Sequence, residues 1–170
     1  MSFLFDFSYT VAGERQVSGL FPRLETQLSD FTEPLTEIMG GVEDETGHQF
    51  GQEGEPDWDD LEPRYEAQKR KRWGEQPILQ ASHALMLSLT DRSHKDAVAE
   101  VTPLSMRRGT SITVGTGRHW NLGLIHQLGA PRANIPARPM MRIRRAFQIL
   151  ARSILADWLF DQGEGSSTYS

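Results

Sequence analysis

The spacing of apolar residues changes along the chain and predicts a strand followed by helices. The first apolar residues alternate with other residues, at Phe3, Phe5, Phe7 and Tyr9. This period of two indicates an opening strand with one buried face. From Leu20 to about Phe50 the spacing is three to four residues, which is typical of an amphipathic helix. Pro34 either kinks that helix or opens a second one with Thr32 as its cap.

The middle of the chain predicts a loop and two more helices. Gly51 to Asp60 is rich in glycine and acidic residues, a composition that favours a loop. Leu61 to Trp73 is predicted to be a charged helix, with Tyr65 and Trp73 as its main apolar anchors. A further helix, starting at Pro77, places five apolar residues on one side: Ile78, Leu79, Leu85, Met86 and Leu89.

A hairpin is predicted next. Its strands would be Ala97–Thr102 and Ser111–Gly115, because both contain β-branched residues. The loop Pro103–Gly109 would join them and carry Arg107 and Arg108.

Three segments complete the second half. Asn121 to Leu128 predicts a short helix that ends at Gly129 in a left-handed conformation. Arg132 to Pro139 is expected to be extended, because its prolines exclude regular helix. The last helix is predicted from about Met140 to Phe160. It has one apolar stripe, formed by Ile143, Phe147, Leu150, Ile154, Trp158 and Leu159.

These elements predict an α+β fold, with a small antiparallel sheet packed against helices and a long C-terminal amphipathic helix. The length of 170 residues favours one domain, expected over residues 1–162. Residues 163–170 form a polar tail that we expect to be disordered.

Composition excludes several classes of protein. The hydrophobic fraction of 38% suits a globular fold and is too high for wholesale disorder. The chain has no cysteine, which excludes disulfides and thiolate chemistry. No apolar run approaches the roughly 18 residues of a membrane span. Met1 to Thr10 lacks the features of a signal peptide, so we expect a cytosolic product without a membrane partner.

Charge is distributed unevenly along the sequence. Residues 1–66 carry sixteen acidic side chains against three arginines, whereas residues 67–170 carry fifteen basic side chains against seven acidic ones. The first long helix presents acidic residues that we expect to be solvated: Glu37, Glu43, Asp44 and Glu45. Two interpretations remain open. Opposite poles could stack copies head to tail or meet DNA, or the two halves could interdigitate within the fold and neutralise each other locally.

No catalytic or metal-binding constellation is visible in the sequence. The five histidines form no H-E-x-x-H motif, and a structural role is favoured over metal ligation for His119 and His126. There is neither a Walker loop nor a nucleophile elbow. Asp57, Asp59 and Asp60 resemble a cation loop only loosely. We therefore expect a protein that is not an enzyme and has no cofactor or metal.

The most informative stretch runs from Trp58 to Arg138. It contains, in order, Trp58-x-x-Leu61, a basic helix, Ile78-Leu79-x-x-Ser82-x-x-Leu85, Ile112-Thr113-Val114-Gly115-Thr116, Ile125-His126-Gln127-Leu128-Gly129 and Ile135-Pro136-Ala137-Arg138-Pro139. This set resembles the phage virion morphogenesis family of Mu-like phages, which is related to tail completion proteins. The stretch Thr102–Thr110 is an insertion that looks private to this chain.

The resemblance implies a structural role at the head–tail junction of a tailed bacteriophage. Such proteins terminate or complete the tail as a ring, expected to be a hexamer, so that head and tail can join. The implied partners are further copies of the chain, the tail tube protein and head–tail connector proteins, within the neck of a virion assembled in the host cytoplasm. The alternatives are a head-completion or connector protein on the portal side and, from another class, a DNA-binding accessory protein.

Candidate contact residues follow from the same stretch. We expect contacts with a neighbouring subunit or partner at Trp58, Arg107, Arg108, His126, Gln127, Pro136 and Arg138. Arg138, in a stiff proline-flanked segment, either pairs with a carboxylate or binds local carbonyl groups. For His126 and Gln127 we favour a satisfied polar pair that fixes the loop before Gly129.

Three arginines at the start of the last helix suggest an external anion. Arg142, Arg144 and Arg145 are predicted in its first turns, where positive charge opposes the helix dipole. An acidic neighbour, or non-specific contact with DNA in a ring lumen, would compensate them. The alternative is a solvated face. No sequence-reading module for DNA is visible.

Overall fold

A computed structural model describes residues 29–115 and 120–164. Within these residues the fold is α+β, as predicted. The helices are α1 (Thr32–Gly51), α2 (Pro63–Trp73), α3 (Ala84–Thr90), α4 (Leu122–Leu128) and α5 (Arg145–Glu164), and the strands are β1 (Ala97–Thr102), β2 (Ser105–Thr110), β3 (Thr113–Val114) and β4 (Trp120–Asn121). None of the described helices is both long and apolar enough to span a membrane.

Helix α1 is the central element, and it packs against α3, α5 and the β1–β2 hairpin. Thr32 is its first residue and not its cap, because Phe31 occupies the N-cap position. The Thr32 N–H donates to Asp30 Oδ1 at 2.9 Å. Pro34 lies in the first turn, where a missing N–H costs nothing. The predicted opening strand and the helical pattern before residue 29 lie outside the described residues.

Gly41 lets two helices approach closely. A Cβ atom at this position would lie 2.1 Å from the ring of Phe147 on α5. Phe147 packs with Ile38 and Val42 of α1 in one small core. The second glycine of the Gly40-Gly41 pair therefore has a packing role in the middle of the helix.

A second core joins the loop after α1 to α3. It contains Phe50, Trp58, Leu85, Leu89 and Met140, all buried. The rings of Phe50 and Trp58 meet edge to face with centroids 5.6 Å apart. Trp58 Nε1 donates to the Pro139 carbonyl at 3.2 Å.

The hairpin differs from the prediction. Strand β1 is where we expected it, but its partner is β2, and the connection is the two residues Pro103 and Leu104. The predicted loop Pro103–Gly109 is therefore wrong, because most of it is strand. The predicted strand Ser111–Gly115 is reduced to β3, which pairs with β4 in a separate sheet.

The helices α2 and α3 begin later than predicted. Glu62 starts α2 by accepting hydrogen bonds from the Arg64 and Tyr65 N–H groups. The proposed anchors Tyr65 and Trp73 are 52% and 37% exposed, whereas the buried residue of α2 is Lys69.

Burial lowers the pKa of Lys69, whose ammonium group donates to the carbonyls of Gln76 and Pro77. Turns occupy residues 77–83, where Leu79 and His83 have positive φ, so a helix starting at Pro77 is wrong. Helix α3 instead begins at Ala84.

The short helix α4 ends before Gly129 as predicted, but Gly129 does not adopt the predicted left-handed helical conformation. Asn121 Oδ1 accepts from the Leu124 N–H at 2.9 Å, and Gly129 follows the helix with a φ of +75° and an extended ψ of 169°. A Cβ atom at Gly129 would also lie 2.8 Å from the Ala137 nitrogen. Both the positive φ and the lack of space for a side chain therefore require glycine at this position.

The segment between α4 and α5 is only partly extended. Residues Pro131–Ala133 form one 3₁₀ turn, and Ala130 pairs with Ile135 in an isolated antiparallel bridge. Helix α5 begins at Arg145, not at Met140, and continues to Glu164. The predicted tail is thus helical over its first two residues, and residues 165–170 lie outside the described part.

Candidate interaction surfaces

The two most specific segments of the sequence bind each other inside the protein. The side chain of Gln127 accepts hydrogen bonds from the Met140 N–H at 2.9 Å and the Met141 N–H at 3.0 Å. It also donates to the Met141 carbonyl at 3.3 Å. The His126 carbonyl accepts from the Arg138 N–H at 2.6 Å. Gln127 thereby fixes the chain as it leaves the extended segment for α5.

Arg138 takes the second of the two roles considered for it. Its guanidinium group donates to the Asp59 carbonyl at 2.8 and 3.1 Å and to the Asp60 carbonyl at 3.1 Å. The residue is 4% exposed. Within the described part of the chain Arg138 therefore binds carbonyl groups and not a carboxylate, and it ties the extended segment to the loop that precedes α2. Pairing with a carboxylate across a subunit interface stays a prediction.

Burial changes the role of Trp58 as well. Trp58 is 6% exposed and belongs to the second core. Because so little of Trp58 is accessible, its effect on an interface would be indirect, through the shape of the surface that covers it. We name Trp58, Gln127 and Arg138 the internal clamp. Trp58 and Gln127 bind backbone groups of the segment from Ala137 to Met141, and Arg138, within that segment, binds the loop before α2.

His126 departs from the expected satisfied pair. Its Nδ1 atom is buried and has no hydrogen-bond partner within the described residues. Burial lowers the pKa of His126, and the nearby positive charge of Arg138 lowers it further. Burial and the charge of Arg138 therefore disfavour the protonated imidazole, and of the two side chains it is Gln127 that makes the hydrogen bonds to the backbone of Met140 and Met141.

Acidic residues of α1 meet basic residues from the second half of the chain. The Glu43 carboxylate lies 2.9 Å from Arg92 Nε and 2.8 Å from Arg108 Nε, and its side chain is 11% exposed. Glu45 lies 2.7 Å from the Arg144 guanidinium. These hydrogen bonds from Arg144 lower the pKa of Glu45 and raise that of Arg144.

The predicted solvated acidic surface is therefore wrong for Glu43 and Glu45, and the halves interdigitate at these positions.

The neighbouring arginines of β2, Arg107 and Arg108, also have ion-pair partners within the chain, but they differ in exposure. Arg107 is paired across the hairpin with Glu100 at 3.6 Å and is 72% exposed, whereas the Arg108 side chain is 1% exposed. Successive strand residues point to opposite faces, which explains the difference. Of these two arginines, Arg107 is the one accessible for an external contact.

The three arginines near the start of α5 differ in their position and in their partners. Arg142 and Arg144 precede the helix, so placing them in its first turns is wrong. Arg142 donates to the Glu55 carbonyl, and Arg144 pairs with Glu45 and with Glu55 at 3.4 Å. Arg145 begins the helix, is exposed and has no ion pair within the described residues.

A groove opens between the start of α2 and the segment from His126 to Arg138. It has a volume of about 980 Å³. Apolar walls come from Leu61, Tyr65, Leu128 and Pro136, and the exposed acids Asp60 and Glu62 lie at its edge. His126, Pro136 and Arg138, all predicted as contact residues, line this groove. Three predicted contact residues therefore lie along one groove, Arg138 among them almost fully buried, and their contact role stays a prediction.

The outer side of α5 is a second exposed surface. The predicted apolar stripe is buried at Phe147, but Leu150 is 52% exposed. Ile149 is 60% and Phe160 is 73% exposed on the side away from α1. Neither residue belongs to the predicted stripe, although their spacing relative to Arg145 and Arg152 follows helical periodicity.

Within residues 29–115 and 120–164, no group of three or more His, Asp or Glu side chains is placed to hold a metal ion. A sequence model of the phage virion morphogenesis family matches residues 13–159. No curated protein matches the chain, and no solved structure does.

Proposed function

Because the chain belongs to the phage virion morphogenesis family, we propose that it is the structural ring protein that completes the tail at the head–tail junction. A role in the virion or its assembly follows from the family itself. The tail-completing ring, its expected six copies and its place in the neck are the proposal. The observation that carries it is the family match over residues 13–159, which includes every candidate contact residue.

The arrangement of the predicted residues supports a structural role. The three side chains of the internal clamp belong to the most informative stretch of the sequence, and all three bind backbone groups of the same chain. This is a structural role and not one of contact with a substrate. The remaining exposed features, the groove and the outer side of α5, suit contacts with other protein subunits. We therefore propose that the protein is not an enzyme.

A DNA-binding accessory role loses part of its basis. Of the run Lys69-Arg70-Lys71-Arg72, Lys69 is buried and Arg70 pairs with Glu66 at 3.3 Å. Arg144 is likewise neutralised within the fold. Phosphate binding depends on accessible cations, so these groups offer less charge to DNA than the sequence suggests.

Deletion of the gene in the phage genome tests the proposal. We expect lysates with filled heads and separate tails, which join when wild-type protein is added. Infectious, joined particles from the deletion strain would refute it. A head-completion protein on the portal side would instead leave heads that lose their DNA.

A further inference from the structure

The two exposed surfaces share an apolar centre but differ in the sign of their charge. On α5, Arg145, Ile149, Arg152 and Phe160 follow one another at helical spacing on the side away from α1; we call these four residues the helix face. Both apolar members are more than half exposed, and neither arginine has an ion pair within the described residues.

The groove offers the complementary chemistry. Leu128 is 67% and Tyr65 is 52% exposed along its walls. Of the charged residues that line the groove, Asp60 and Glu62 are exposed, and the Glu62 carboxylate also caps α2, whereas the cation Arg138 is buried against two carbonyl groups. A groove of about 980 Å³ has room for several side chains of an inserted helix.

We propose that the helix face of one copy docks into the groove of the next copy. An amphipathic helix in an apolar groove is a common mode of recognition, and here oppositely charged residues would border the buried centre. Because the two surfaces differ, the contact is heterologous and each copy keeps one free surface for a further copy. The inference rests on the proposed ring and names its subunit contact.

Charge also argues against symmetric pairing. Two helix faces in contact would bring Arg145 and Arg152 of both copies together. Two grooves in contact would do the same with Asp60 and Glu62. Like charges at an interface are unfavourable. Of the three pairings, the head-to-tail arrangement is the one that buries the apolar residues and also places opposite charges next to each other.

Two variants separate the surfaces. Ile149→Asp places a charge in the helix face, and Leu128→Asp places one in the groove. Both residues are exposed in the single chain, so thermal unfolding should match that of the wild type. Leu104→Asp is the matched control, because Leu104 is 73% exposed in the β1–β2 turn and belongs to neither surface.

The assay is light scattering coupled to size-exclusion chromatography at low salt. We expect wild-type protein and Leu104→Asp to assemble, and each of the other two variants alone to lose association by about tenfold or more, as for a central interface residue. An equimolar mixture of Ile149→Asp and Leu128→Asp should form heterodimers and stop there, because it retains one intact helix face and one intact groove. Higher salt should weaken wild-type assembly, since exposed charge pairs are screened.

The outcomes distinguish this contact from the ring itself. If wild-type protein assembles and both variants assemble equally well, the contact is wrong and the ring stands. If wild-type protein stays monomeric at low and high salt even when concentrated, self-driven ring assembly fails and the contact with it. If Ile149→Asp lowers the melting temperature and the mixture forms no heterodimer, residues 1–28 of the same chain cover the helix face, which also overturns the proposal.

Discussion

Replacing Gln127 with leucine tests whether the internal clamp holds the fold. Leucine has a similar size but cannot accept a hydrogen bond, so the N–H groups of Met140 and Met141 lose their acceptor. Met140 is 1% exposed and lies in the second core, where water cannot easily replace the lost group. An unsatisfied buried donor costs about 1–3 kcal/mol.

Two such donors therefore predict a loss of roughly 2–4 kcal/mol in the free energy of unfolding, after partial hydration of the more accessible Met141. Urea denaturation monitored by tryptophan fluorescence measures it. The midpoint should fall while the slope stays constant. Gln148→Leu is the matched control, because Gln148 is exposed and donates only to the Ile143 carbonyl at 3.2 Å; it should change stability by less than about 0.5 kcal/mol. Equal effects of the two substitutions would refute the clamp.

Three further predictions use the same unfolding assay. Gly41→Ala should destabilise the protein by about 1–2 kcal/mol, because overpacking against the Phe147 ring outweighs the gain in helix propensity; Gly51→Ala, with open space around its Cβ position, should not destabilise it, and the same loss at both positions would contradict this. Arg108→Met should cost about 2–4 kcal/mol, since it breaks a buried pair, whereas Arg107→Met on the exposed face should cost at most about 1 kcal/mol; similar costs would be inconsistent with their opposite faces. For His126, the lowered pKa of the folded state means that the unfolded chain takes up a proton first, so stability should fall as the pH is lowered through the ordinary histidine pKa of about 6.5; His126→Gln should make this fall shallower, and an unchanged slope would show that His126 does not contribute.

Local patterns in the sequence predicted those elements whose signals are local. The end of α1 near Phe50, the strand β1, and helix α4 with Asn121 and Gly129 at its ends depend on apolar spacing and on capping residues. Each of these signals acts over a few residues. The structure confirms them.

Elements that depend on distant partners were missed. Strand β2 has the sequence Ser-Met-Arg-Arg-Gly-Thr. It shows no alternation of apolar residues, because Arg108 and Thr110 follow Met106 on the side that faces the protein. The charge of Arg108 is compensated by the Glu43 carboxylate of α1, and its Nη1 atom donates to the carbonyl groups of Ser88, Val98 and Gly109. Glu43 lies far from Arg108 in the sequence, so no local pattern indicates this pair. Helix α5 begins late for a similar reason: the N–H groups of Met140 and Met141 are bound by Gln127 and not by a helical turn.

The structure shows where the candidate contact residues lie, and their contact role stays a prediction. His126, Pro136 and Arg138 line the groove, so residues from two of the segments chosen from the sequence lie side by side in the fold. Burial could not be foreseen for Trp58 and Arg138, which bind backbone carbonyls far away in the sequence. The charge asymmetry of the two halves was visible, but only the fold shows how much of it is neutralised internally.

Electron microscopy of the assembled virion tests the central claim most directly. With the protein carrying a small electron-dense or antibody label, we predict a ring of label at the junction of head and tail, with six copies as the expected number. Label along the tail tube, at the baseplate or within the capsid shell, with none at the junction, would contradict a tail-completing role.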